Sequence, residues 1–126
     1  MLLNSDSSKP IYVQISEWLE AEILRGHFAT DQKVYSQYQL ADKFNINPAT
    51  AGKGLTLLVD ENILYKKRGL GMFVAEDARE KIMSKRKNQT LKRLIFDLVI
   101  EANHLGVEEE ELMQMIKETK RKGEVQ

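Results

Sequence analysis

The chain has 126 residues and a mass of 14.5 kDa. This length allows one ordinary domain or two small ones. It excludes enzymes built on a (β/α)8 barrel, because that fold takes ~250 residues. Nineteen basic and nineteen acidic side chains give a formal net charge of zero, so the chain is not a uniform polycation. It has no cysteine, which excludes disulfides, thiolate metal sites and cysteine nucleophiles, and no apolar run approaches the ~18 residues of a membrane span.

Three helices are predicted in the N-terminal part. The first begins at Pro10, has apolar residues at helical spacing and ends at a glycine. Ser36 can cap the second helix, which ends at Asn45. Asn47 and Pro48 have the residue types of the N-cap and the first position of a third helix. A short turn thus joins the second and third helices, which is the helix-turn-helix pattern.

The third helix contains two glycines. Gly52 and Gly54 each cost up to ~1 kcal/mol relative to alanine in a helix interior. We expect Gly54 to allow close packing against the second helix. The sequence offers no explanation for Gly52.

A small β hairpin is predicted next. Two short strands, 63–65 and 72–74, flank a basic, glycine-containing turn at 66–71. A strand, a basic loop and a strand that follow a helix-turn-helix form a wing. The predicted fold is therefore mainly α with a small β wing, and the winged helix-turn-helix domain spans residues 1–75.

The remaining residues, 76–126, are predicted to form a helical hairpin. One long helix runs from Glu76 to Asn103, and a final helix runs from Val107 to about Lys122. Two helices of this length cannot enclose a core alone, so their apolar stripes need a partner. The same hairpin of a second subunit is the simplest one, which predicts a homodimer. The expected interface residues are Leu91, Leu94, Ile95, Leu98, Val99, Leu112, Met115 and Ile116.

Charge is segregated along the chain. Residues 33–75 have six basic side chains against three acidic ones, and residues 76–93 have seven against three. Both ends are acidic. This pattern indicates a surface for a polyanion, although solvated surfaces show such blocks as well.

Four motifs carry a resemblance to a known family. They are 10–15 (Pro-Ile-Tyr-Val-Gln-Ile), 39–44 (Gln-Leu-Ala through Phe), 46–51 (Ile-Asn-Pro-Ala-Thr-Ala) and 67–74 (Lys-Arg-Gly-Leu-Gly-Met-Phe-Val). In this order and spacing the chain resembles the GntR family of bacterial winged-helix repressors, and specifically its YtrA-like subfamily. The resemblance implies a transcriptional regulator, not an enzyme, that represses by binding a pseudo-palindromic DNA operator as a homodimer.

The chain departs from the family pattern at two places. The family has Leu-Pro-Ser-x-Arg-x-Leu where this chain has residues 34–40, so Tyr38 replaces an arginine that contacts DNA in the family. The family's Thr-Val-x-x-Ala becomes Thr-Ala-Gly-Lys-Gly at residues 50–54. These changes remove one charged contact and weaken the helix, so affinity or operator choice is expected to differ from that of relatives.

The helix-turn-helix is expected to supply contacts in the major groove. The N-terminal residues of its second helix reach base edges, which places Ala49, Thr50 and Lys53 nearest to the bases. Four preceding residues are expected to face the phosphate backbone: Ser36, Gln37, Tyr38 and Asn47. The alternatives are that Asn47 only caps its helix and that Tyr38 is a packed surface aromatic.

The wing is expected to reach the minor groove. Arg68 would insert there, with Gly69 and Gly71 allowing close approach. Lys66 and Lys67 would flank phosphates. The alternative is that these two lysines only protect an edge strand, as lysine often does.

Other functions are weaker interpretations. A winged-helix module for protein or RNA contacts is the alternative that the altered third helix favours. Glu101 and His104 have the spacing of one ligand pair in a di-iron bundle, but a single such pair is typical of a solvated surface, so we predict no metal, cofactor or catalytic residue.

A small-molecule effector of unknown class would bind at the dimer interface or between domains, because the hairpin is too small for a typical ~300 Å3 pocket. We expect a cytoplasmic protein with no membrane contact.

Overall fold

The computed structural model describes residues 3–4 and 8–123, and the chain divides into two compact units, Met1–Ser84 and Lys85–Gln126. The first unit contains α1 (Ile11–Leu24), α2 (Gln37–Phe44), α3 (Pro48–Asp60), β1 (Leu64–Lys67), β2 (Gly71–Val74) and all but the last residue of α4 (Ala78–Lys85). The second contains a π-helical segment (Arg86–Leu91), α5 (Lys92–His104) and α6 (Glu109–Arg121). A mainly helical chain with a two-stranded wing and a C-terminal hairpin confirms the predicted fold class.

The core of the first unit lies between its helices and the wing. The buried side chains include Ile15, Leu40 and Leu58, one from each of the first three helices. Ala78 and Ile82 of α4 are buried in the same cluster. The first compact unit therefore includes most of α4. The end of the DNA-binding domain at residue 75 remains a prediction.

Side-chain caps fix the two helix starts as predicted. The Ser36 hydroxyl accepts a hydrogen bond from the backbone N–H of Gln39 at 3.1 Å, and the Gln39 carboxamide oxygen accepts one from the Ser36 N–H at 2.8 Å. The Asn47 side chain accepts from the Ala49 N–H at 2.8 Å, and Pro48 is the first residue of α3. Such caps satisfy backbone donors that no helical carbonyl can reach.

The wing is an antiparallel hairpin whose strands pair from Leu64 with Val74 to Lys67 with Gly71. β1 takes in Lys66 and Lys67, which the sequence prediction assigned to the turn. The other edge of β2 is also occupied, since the Val34 N–H donates to the Met72 carbonyl at 2.9 Å. The segment between α1 and α2 therefore ties the wing to the helices.

The predicted helix from Glu76 to Asn103 is interrupted. Asp77 has a positive φ of 64°, so α4 begins at Ala78. The π-helical segment then separates α4 from α5, and none of its residues is buried. Such π-helical turns, with i→i+5 hydrogen bonds, are rare and occur mostly inside α-helices.

The prediction that Gly54 packs against the second helix was wrong. A Cβ added at Gly54 would lie 2.8 Å from the carbonyl oxygen of Tyr12 and 3.0 Å from Cγ2 of Ile15, both in α1. The glycine thus allows α3 to approach α1, not α2. A Cβ added at Gly52 would meet only the side chain of Gln37, 2.9 Å from its Oε1.

We expect opposite stability effects from the two alanine substitutions. Both gain helix propensity of up to ~1 kcal/mol. Gly54→Ala forces the backbone of α1 to move and should lower the free energy of unfolding by about 1–2 kcal/mol net. Gly52→Ala only displaces the end of a flexible side chain and should raise the free energy of unfolding. Urea unfolding of both variants at one protein concentration checks this, and a shift in the same direction for both would show that the α1–α3 approach does not control stability.

Candidate nucleic-acid interface

Three elements meet at one surface of the first unit. The start of α2 and the wing border a groove of about 330 Å3, whose lining includes Ser36, Tyr38, Lys66 and Leu70. Gln37 lines the same groove and also contacts Gly52 of α3. The start of α2, the helix α3 and the wing are therefore neighbours on this surface.

The start of α2 presents its aromatic residue outward. Tyr38 is 69% exposed, so its hydroxyl is accessible to a ligand. Ser36 and Gln37 are half-buried, and Ser36 already accepts the capping hydrogen bond. Asn47 is exposed and also caps a helix, so a further contact would add to its structural role.

The exposed face of α3 holds mostly short side chains. Ala49, Lys53 and Thr56 are exposed, and Thr50 is half-buried. The Nζ atom of Lys53 lies 4.2 Å from the centroid of the Tyr12 ring, within cation–π range. The sequence analysis named neither Tyr12 nor Thr56 as a candidate for DNA contact, because nothing local shows that α1 borders this face.

The two lysines of β1 lie on opposite faces of the wing. Successive side chains of a strand alternate, and Lys66 lines the groove beside α2. Lys67 instead lies over two rings on the other face, with its Nζ atom 4.7 Å from the centroid of Phe73 and 5.8 Å from that of Tyr65.

The tip of the wing is open. Arg68, Gly69 and Leu70 are exposed, and Leu70 is 61% exposed. Gly69 has φ of 78° and Gly71 has φ of 117°, conformations that side-chain-bearing residues rarely adopt. These glycines shape a narrow tip with a cation and an apolar side chain at its end.

A hydrogen bond anchors β1 to the loop between α1 and α2. The Tyr65 hydroxyl donates to Oδ1 of Asp31 at 2.7 Å. This bond to the carboxylate raises the pKa of Tyr65, with burial and the negative charge acting in the same direction. The phenol therefore keeps its proton at neutral pH, and the contact weakens only when pH rises above the ordinary tyrosine range.

The hairpin of the second unit exposes its apolar residues. Of the predicted interface residues, Leu112 is half-buried and the other seven are exposed: Leu91, Leu94, Ile95, Leu98, Val99, Met115 and Ile116. Phe96, which the prediction omitted, is 64% exposed. An apolar groove of about 390 Å3 lies between α5 and α6, so the expectation that one hairpin cannot form a pocket of this size was wrong. Its lining comes from both helices and from Val107 in the turn between them, so the hairpin as a whole borders this space.

Residues 11–74, slightly more than half of the chain, match the family model described as bacterial regulatory proteins, gntR family. The chain belongs to the GntR family. The matched range covers α1 to the end of β2, which are the elements that form the surface described above. The resemblance noted in the sequence is therefore confirmed.

Two relatives from Bacillus subtilis are transcriptional repressors. The repressor YtrA is 34% identical over 112 residues, which cover 89% of this chain and 85% of YtrA. The repressor NagR is 35% identical over 83 residues, which cover 66% of this chain but only 34% of NagR. This chain thus spans about a third of NagR's length. The family and these relatives are transcriptional regulators and not enzymes, as the sequence predicts.

A solved GntR-type structure contains DNA. The crystal structure of AraR(DBD) in complex with operator ORE1 matches 58% of this chain and 89% of that chain, with a TM-score of 0.53 and 33% identity. This GntR chain therefore has the DNA-binding helix-turn-helix of a transcriptional regulator. No helix in the described part of the chain is long and apolar enough to cross a membrane.

Proposed function

We propose that this GntR protein is a cytoplasmic transcriptional repressor that binds a pseudo-palindromic operator as a homodimer. The observation that carries the proposal is the single surface formed by the start of α2, the exposed face of α3 and the wing. Binding to operator DNA is carried over to this chain from the AraR operator complex, which matches 58% of this chain at 33% identity. The repressor role rests on the names of YtrA and NagR.

The helix α3 enters the major groove in this proposal. Its N-terminal residues Ala49 and Thr50 approach base edges, where a methyl group can contact thymine and a hydroxyl can donate or accept. Lys53 leaves the Tyr12 ring or reaches past it to a phosphate or a guanine. At the start of α2, the exposed Tyr38 donates its hydroxyl to a phosphate oxygen, where the family has a guanidinium.

The wing lies at the minor groove. The exposed Arg68 provides the cation that the negative potential of a narrow minor groove attracts. Gly69 and Gly71 have no side chain, so the sugar–phosphate backbone can approach the tip of the wing closely. Lys66 contributes a phosphate contact from the groove side of the wing.

The hairpin brings together two copies of the DNA-binding surface. Its exposed apolar residues and its groove of about 390 Å3 would be a large unpaired apolar surface on a monomer. The hairpin of a second subunit related by a twofold axis buries both stripes at once and presents two copies of α3 to two half-sites. We assign the groove to this partner hairpin; an effector would have to share it.

Selection from randomised libraries tests the proposal. The full chain is incubated with a random duplex DNA library and, separately, with a random single-stranded RNA library of equal complexity. We expect an inverted repeat to be enriched from the duplex, bound roughly 10³-fold or more tightly than unrelated DNA, with no motif from the RNA. Enrichment from RNA alone, or no duplex motif, would contradict the proposal and favour the module for RNA or protein contacts.

The opposite placement of Lys66 and Lys67 gives a paired prediction. Each phosphate contact contributes ~0.9 to the slope of log K against log salt on duplex DNA. Lys66→Ala should therefore reduce the magnitude of the slope by about 1.8 for a dimer, from two contacts at ~0.9 each. Lys67→Ala should leave it nearly unchanged, because that lysine lies over Phe73. Fluorescence anisotropy at several salt concentrations measures both, and equal effects of the two variants would contradict the assignment.

A further inference from the structure

The exposed face of α3 has no side chain at position 52. Positions 49, 52 and 56 follow at the i+3 and i+4 spacing that places residues on one helix face, and they hold Ala49, Gly52 and Thr56. Lys53 is the long side chain nearby, and its Nζ atom lies over the Tyr12 ring. A base edge opposite position 52 would find no side chain from α3 itself.

Gln37 occupies the space above Gly52. A Cβ built on Gly52 would lie 2.9 Å from Oε1, 3.3 Å from Cδ and 3.7 Å from Cβ of Gln37. The carboxamide of Gln37, the first residue of α2, thus stands where a side chain of residue 52 would begin. This close approach accounts for a glycine in a helix interior that the sequence left unexplained.

The carboxamide of Gln37 is not committed to the fold. In the same unit, Gln14 donates to two backbone carbonyls, Gln32 accepts from the Ala29 N–H, and Gln39 completes the capping box. Among the residues that the structure describes, no hydrogen bond engages the Gln37 carboxamide. Gln37 is half-buried and lines the groove, and its carboxamide donor and acceptor remain available.

We infer that Gln37 reads a base edge in the major groove, in place of a side chain from position 52. The inference rests on the proposed DNA-binding function and replaces the phosphate contact expected for Gln37 from the sequence. A carboxamide combines an acceptor with donors and pairs in a bidentate manner with N6 and N7 of adenine. Gln37 therefore selects adenine at one position of each half-site.

Repeating the selection with Gln37 variants tests this inference. The wild-type chain should discriminate for adenine at that position by roughly 5- to 150-fold, the ratio that corresponds to one bidentate pair. Gln37→Ala should lose this preference while the other positions of the motif stay the same. Gln37→Glu should change the preferred base to cytosine, whose N4 amino group donates to a carboxylate.

A substitution at Gly52 separates base reading from folding. Gly52→Ala places a methyl group where the Gln37 carboxamide stands and forces it aside, so the adenine preference should fall as in Gln37→Ala. The melting temperature should not fall, since alanine favours the helix. A role in folding alone would lower the melting temperature and leave the base preference intact.

The outcomes are distinguishable. If the wild-type chain enriches no duplex motif, the proposed function fails. If it enriches a motif that Gln37→Ala, Gln37→Glu and Gly52→Ala all share with it, DNA binding stands and the base-reading role of Gln37 is refuted. A change of base identity in Gln37→Glu at one position only is the result that supports it.

Discussion

We expect Leu98→Asp to convert the homodimer into monomers and to abolish tight operator binding. Leu98 is 41% exposed on a single chain. It lines two apolar grooves of the hairpin, the one of about 390 Å3 between α5 and α6 and a second of about 360 Å3 whose lining includes Met115 and Thr119. Burying one leucine contributes about 1.5–3 kcal/mol, and a twofold axis repeats the loss on both subunits. The dimer dissociation constant should rise at least about 100-fold, and the buried carboxylates would add to this cost.

Sedimentation equilibrium measures this effect, with Leu105→Asp as the matched control. Leu105 is more exposed, at 69%, but it follows the end of α5 and lines neither groove. The control should remain a dimer with unchanged operator affinity. A dimer mass for Leu98→Asp at the concentrations where the wild-type chain is a dimer would exclude the hairpin as the subunit interface.

The second large effect is expected from Arg68→Ala. Arg68 is exposed at the tip of the wing, so its loss should leave the melting temperature unchanged. If it contacts the minor groove, each copy contributes roughly 1–3 kcal/mol. The two copies of a dimer together correspond to a loss of operator affinity of at least about 30-fold.

Gel-shift titration of Arg68→Ala on the selected operator, beside Arg121→Ala, tests the wing. Arg121 is an exposed cation of the same charge at the end of α6, outside the proposed DNA surface. Its removal should change affinity little. Equal losses for both variants would indicate a general electrostatic effect and would remove Arg68 from the set of specific contacts.

The sequence predicted the features that depend on neighbouring residues. Ser36 and Asn47 cap α2 and α3 as expected, because capping involves only residues two or three positions away. The wing was predicted from its alternation of short apolar runs and a glycine-containing basic turn. Its strand bounds were off by one or two residues, because the ends of a strand depend on hydrogen bonds to the partner strand and not on composition.

Features that depend on distant contacts were not predictable. Gly54 packs on α1, which a pattern within α3 cannot show. The π-helical segment lies in a run without glycine or proline, so no local signal marks it. The same reason explains the missed exposure of Phe96 and the size of the groove between α5 and α6.

Within the site, residue types were easier to predict than their orientations. Lys66 and Lys67 look equivalent in the sequence, and only the strand alternation together with the position of Phe73 separates them. The position of Gln37 above Gly52 joins two helices that are separate motifs in the sequence. Base-reading candidates chosen from α3 alone therefore omit the one that α2 supplies.

The most direct test of the central claim is a hydroxyl-radical footprint of the wild-type chain on a duplex selected from the random library. Two copies of α3 in one dimer should protect two patches related by a dyad, with centres about 10–10.5 base pairs, or a multiple of that, apart on one face of the duplex. A single protected patch without a dyad would contradict the binding of a homodimer to a pseudo-palindromic operator.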